Sequence, residues 1–90
     1  MVPQIKGKDR SLADQLVRAA TSVALNIGEG DLSDPGNQRS RFFTAAGSAN
    51  ETLMALRVAV RWGYFPAVAA EPTEALLRQV IAMLWRLTRR

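Results

Sequence analysis

Ninety residues, 48% hydrophobic and 22% charged, suit one folded domain and are too few for two separate cores. Twelve Lys and Arg against eight Asp and Glu give a net charge of +4, and the chain has no His and no Cys. That composition excludes disulfides, thiolate or imidazole metal sites, cysteine nucleophiles and Ser-His-Asp catalysis. No apolar run approaches the roughly 20 residues of a bilayer span. The polar first ten residues lack the apolar stretch of a signal peptide, so a cytoplasmic protein without membrane contact is expected.

Residues 1–10 hold Pro3, Gly7, Lys6, Lys8, Asp9 and Arg10 and read as a flexible basic arm. Residues 11–90 read as a single helical-bundle domain with helices at about 11–29, 37–62 and 72–88. In the first helix Ser11 is a candidate N-cap and Asp14 suits the positive end of the dipole. Leu12, Leu16, Ala19, Val23 and Ile27 recur at steps of three and four, which places them on one face. Gly28 and Gly30 weaken the helix there. Ser33, Asp34, Pro35 and Gly36 are turn formers, and Asp34-Pro35 fits an N-cap followed by proline at the first helical position.

The long second helix carries an apolar stripe of Phe42, Ala46, Ala49, Leu53, Leu56 and Val60. Gly63 is a candidate stop, with Tyr64 and Phe65 folding back and Pro66 preventing continuation. Residues 67–71 read as a linker. The last helix starts near Pro72 or Thr73 and has Leu77, Val80, Ile81, Leu84 and Leu87 as its core stripe. No strand alternation, fixed-period repeat or low-complexity tract competes with an all-α, antiparallel up-down arrangement.

The polar residues are also patterned. Arg18, Ser22, Asn26 and Glu29 follow at spacings of four, four and three and lie in one row. Arg41, Ser48 and Glu51 form a second row on the long helix, beside the small residues Ala45, Ala46, Gly47 and Ala49. If the rows meet as a structural polar seam, Arg18 faces Glu51 and Glu29 faces Arg41, because a buried charge must be paired. If they do not, each row is a solvated face.

Ten of the twelve basic residues are Arg, which favours bidentate contact with phosphate or carboxylate. Arg57, Arg61, Arg78, Arg86, Arg89 and Arg90 are the candidate nucleic-acid contacts. The plain alternative is dipole complement and solvation. Trp62, Tyr64 and Trp85 have the chemistry to stack bases, although such residues in helices more often pack in cores or subunit interfaces. Gly28-Glu29-Gly30 is not a phosphate loop, because no Lys-Ser or Lys-Thr follows. The helices are too long for a helix-turn-helix. No catalytic, cofactor-binding or metal-ligating residue emerges, so a non-enzymatic protein without cofactor is expected.

The segment Asp14-Gln15-Leu16-Val17-Arg18-Ala19-Ala20, followed by Ser22-Val23 and Asn26-Ile27-Gly28-Glu29-Gly30, resembles a known bacterial family. It is similar to the four-helix bundle proteins related to the ribosomal RNA intervening-sequence protein, encoded within inserts in large-subunit ribosomal RNA genes. Arg41-Phe42-Phe43, Ala46, Gly47-Ser48, Glu51-Thr52, Leu56, Arg61-Trp62-Gly63-Tyr64 and Leu84-Trp85-Arg86-Leu87-Thr88 extend the resemblance over nearly everything from Ser11 on. It implies an antiparallel up-down four-helix bundle and a ring-like homopentamer. A more distant likeness is to the accessory variability protein of diversity-generating retroelements, a basic pentamer that binds nucleic acid and a reverse transcriptase.

Family members usually begin with one more full helix, where this chain has ten residues. A subunit with three of the four helices is therefore expected to expose apolar surface, which marks an interaction site. Two functions follow. The first is an oligomeric bundle that binds structured RNA or DNA through Arg-rich faces. The second is an assembly module that recruits a protein partner through an exposed apolar helix face.

Overall fold

Asp9 decides how the chain begins. Its backbone is extended, its N–H bonds the Ile5 carbonyl at 2.7 Å, and its carboxylate accepts the Leu12 N–H at 3.0 Å. One residue thus closes one helix and caps the next. The computed structural model describes residues 1–89 and is all-helical, with no strand among them. Its four helices are α1 (Val2–Lys8), α2 (Arg10–Asp31), α3 (Pro35–Arg61) and α4 (Ala67–Thr88).

Three expectations are corrected here. Residues 2–8 form a helix rather than a flexible arm, so the described residues hold four helices rather than three. The N-cap of α2 is Asp9 rather than Ser11. Pro3 sits in the first turn of α1, where its missing N–H costs nothing. Ile5 is fully buried and anchors the helix. The third correction concerns residues 67–71, which are the head of α4 rather than a linker. Pro66 is the N-cap and Pro72 lies inside the helix. Pro72 leaves the Val68 carbonyl without its usual N–H partner. Val68 is exposed, where water can take the donor's place.

Between α2 and α3 the chain turns in three residues. Asp34 caps α3 by accepting the Asn37 N–H at 3.0 Å, and Pro35 occupies the first helical position. The α3 helix therefore starts two residues before the expected 37. The Ser33 hydroxyl donates to the Glu29 carbonyl at 2.7 Å, and Gln38 Nε2 donates to the Gly30 carbonyl at 3.2 Å. The same two carbonyls also accept the Leu32 and Ser33 N–H groups, at 3.3 and 3.1 Å, so the end of α2 is closed by backbone and side-chain donors together. At the other end of α3, Gly63 has φ 78°, with Gly63 N–H bonded to Val60 O and Tyr64 N–H to Ala59 O. This is the Schellman arrangement, and it needs a residue that tolerates positive φ.

The core has two clusters. One joins Ile5, Leu12, Leu16, Leu56, Phe65 and Ala70 across all four helices. The other joins Phe42, Ala45, Ala46 and Leu84, with Ile27, Val80 and Leu87 against it. Leu56 and Leu84 are fully buried, and burying each stabilises the fold by roughly 1.5–3 kcal/mol. Gly30 is placed by packing. A Cβ there would lie 2.6 Å from Cε1 and 2.9 Å from Cδ1 of the buried Phe42 ring.

Candidate nucleic-acid interface

The two polar rows meet only in part. The Ser22 and Ser48 hydroxyls share a hydrogen bond of 2.7 Å. Asn26 Nδ2 donates to the Ser22 carbonyl at 2.9 Å and to its Oγ at 3.1 Å. Arg41 Nη1 pairs with Glu29 Oε2 at 2.8 Å, and both side chains are about half exposed. That pair sits on the rim rather than in a buried seam. The expected Arg18–Glu51 pair does not form among the described residues. Both residues are exposed on a groove of about 650 Å³ between α2 and α3, beside Gln15, Met54 and Val58. Hydration competes well with an ion pair in such a place. Glu29 is thus paired and Asp34 caps a helix, and no three acids gather into a metal-sized cluster among the described residues.

The α3–α4 side is different in kind. Phe43 on α3 meets Trp85 on α4 edge to face, with ring centroids 5.2 Å apart and planes at 83°. Arg57 Nε donates to Glu74 Oε1 at 3.3 Å, again joining α3 to α4. Helical periodicity puts these two links on one side of the molecule. At about 100° per residue, Arg57 is offset from Phe43, and Glu74 from Trp85, by less than a quarter turn. The same arithmetic places Arg61 in line with Phe43, and Arg78 and Arg89 nearly in line with Trp85.

Of the six candidate contacts, Arg57, Arg61, Arg78 and Arg89 therefore share one side, and all four are exposed. Arg86 follows Trp85 directly and lies about 100° round α4. Arg90 lies outside the described residues. Trp62 is 71% exposed at the C-cap of α3, and Tyr64 packs partly against the larger core cluster. Phe43 was not among the sequence candidates for stacking. In the sequence it stands out only as part of Arg41-Phe42-Phe43 in the family resemblance.

Titration is perturbed at the α2–α3 turn. The Asn37 backbone N–H, then the Asn37 side-chain amide, hold the Asp34 carboxyl below the ordinary carboxylate range. This is the usual effect of donors that favour the charged form. The Asn37 Nδ2 to Asp34 Oδ2 distance is 2.7 Å.

These features define a class: a small all-helical protein with exposed arginines and an aromatic pair along one side of α3 and α4. The chain belongs to the 23S rRNA-intervening sequence protein family, whose model matches residues 3–86. No curated protein and no solved structure gives a significant match. No helix among the described residues is long and apolar enough to cross a membrane.

Proposed function

We propose that this is a non-enzymatic, cytoplasmic helical-bundle protein that acts as a homo-oligomer and binds structured RNA or DNA through the arginine-bearing side of α3 and α4. The subunit in this reading is an antiparallel up-down bundle, and the oligomer is the pentamer that the family resemblance implies. The observation that carries the reading is the convergence of Arg57, Arg61, Arg78 and Arg89 on one side of two packed helices. Guanidinium groups so spread suit a phosphate backbone, and binding of this kind releases counterions.

The test is fluorescence anisotropy with a labelled RNA hairpin and its DNA counterpart across a salt series. Affinity should fall steeply as salt rises. Joint replacement of Arg61, Arg78 and Arg89 by Glu should abolish binding while helical content by circular dichroism is kept. Binding indifferent to salt and to these replacements rejects the reading. Light scattering on the same samples gives the subunit number.

A second reading, an assembly module for a protein partner, is supported by a different observation. The α2–α3 groove presents exposed Met54 and Val58 beside Arg18 and Glu51, which form no ion pair among the described residues. It predicts a stable hetero-complex with no measurable nucleic-acid affinity.

A further inference from the structure

The Phe43–Trp85 pair is out of place as core. Phe43 and Trp85 are 47% and 39% exposed as residues, yet their rings meet in the edge-to-face geometry that aromatic quadrupoles favour. Their surroundings are cationic. Arg78 stands seven residues before Trp85 and Arg89 four residues after it, about 10 Å and about 6 Å along the α4 axis. Neither forms an ion pair among the described residues. An apolar protein surface would meet these charges at a cost, since each guanidinium would lose water without gaining a partner. A ligand that is flat and apolar in one part and anionic in the next satisfies both features at once.

We propose that Phe43 and Trp85 form a stacking platform for an unpaired base, with Arg78 and Arg89 holding the phosphates on either side of it. The ligand class is single-stranded nucleic acid, or an unpaired loop within a structured one. This rests on the reading above and sharpens it. A base inside a duplex is already stacked on its neighbours and cannot reach a ring pair set into a helix surface. A duplex would engage only the arginines. Base–aromatic stacking is indifferent to base identity, because every base has a π-face, so little sequence preference is expected.

Trp62 and Trp85 are the two tryptophans, so a Trp62→Phe background makes Trp85 the sole indole reporter. Short oligouridylate, short oligothymidylate and a blunt RNA duplex are titrated into this protein. Both single strands should quench Trp85 emission, and the duplex should bind without quenching. Trp85→Leu should weaken single-strand binding about tenfold or more and leave duplex binding unchanged. Trp85→Phe keeps an aromatic ring and should restore single-strand binding, which separates stacking from a folding defect. The tighter of the RNA and DNA arms assigns the source of the strand. Unchanged Trp85 emission at saturation overturns the platform and leaves the arginine reading standing. So does equal weakening of strand and duplex by Trp85→Leu. Absence of binding in all three titrations overturns both.

Discussion

The α3 helix is gripped differently by its two long neighbours. Toward α2 the contact is mixed: the Ser22–Ser48 hydrogen bond marks its middle, Leu12 and Leu16 join Leu56 at one end, and Ile27 packs against the Phe42 cluster at the other. Toward α4 the contact packs Leu84 against Phe42, Ala45 and Ala46, with the Phe43–Trp85 pair beside it. The α2 contact therefore sets a directional hydrogen bond among apolar residues, and the α4 contact adds an aromatic pair to a fully buried leucine.

The sharpest way to break this division is on the α4 side. Leu84→Ala removes a fully buried side chain and should cost about 2–5 kcal/mol in urea denaturation. A cost like that of an exposed leucine would show that Leu84 does not anchor α4 to α3. Next comes Gly30→Ala, which drives a methyl into the Phe42 ring and should cost about 1–3 kcal/mol. Gly28, with open space around its Cα, is its control. Gly28→Ala should be neutral or stabilising, by up to about 1 kcal/mol.

On the α2 side the effects should be smaller. Ser48→Ala loses the Ser22 hydrogen bond while Ser22 keeps Asn26 as a partner, so about 0.5–1.5 kcal/mol is expected. A loss as large as that of Leu84→Ala would mean that the serine pair matters as much as the buried leucine. Glu29→Gln breaks a half-exposed ion pair and should cost about 0.2–1 kcal/mol, a difference that shrinks in high salt.

Smallest is the acid response of the α2–α3 turn. Asp34 has a lowered folded-state pKa, so its stabilising contribution is present above the unfolded carboxylate range. It is lost as pH falls through the lower folded value. Thermal melts of wild type and Asp34→Asn, compared at neutral pH and at strongly acidic pH, should converge at the acidic end. Curves that stay parallel would show that the cap does not titrate with folding.

Much of this was legible in the chain, and the exceptions share a cause. The stripes of α2, α3 and the body of α4 repeat an apolar residue every turn, and the structure buries or half-buries them as expected. The α1 helix escaped because it has one buried anchor, Ile5, among polar residues, and one anchor makes no period. The head of α4 escaped because Ala67 to Ala70 carry little pattern and Pro72 reads as a boundary. Site residues followed the same rule. Rows such as Ser22–Asn26 were visible because they lie on one helix. The Phe43–Trp85 contact was not, because it depends on which turn of α4 settles against which turn of α3, and spacing along one helix cannot show that.

Pro72 also sets how α4 comes apart. By omitting one bond of the ladder it divides the helix into a head, whose buried residue Ala70 belongs to the cluster of Ile5 and Phe65, and a body, whose Leu84 belongs to the cluster of Phe42. Cooperative opening follows packing more than helix boundaries. Amides of the head should therefore exchange with solvent in step with α1, across a gap of some sixty residues of sequence. Amides of the body should exchange in step with the first half of α3. One continuous helix thereby belongs to two separately opening units, with the proline as the seam between them.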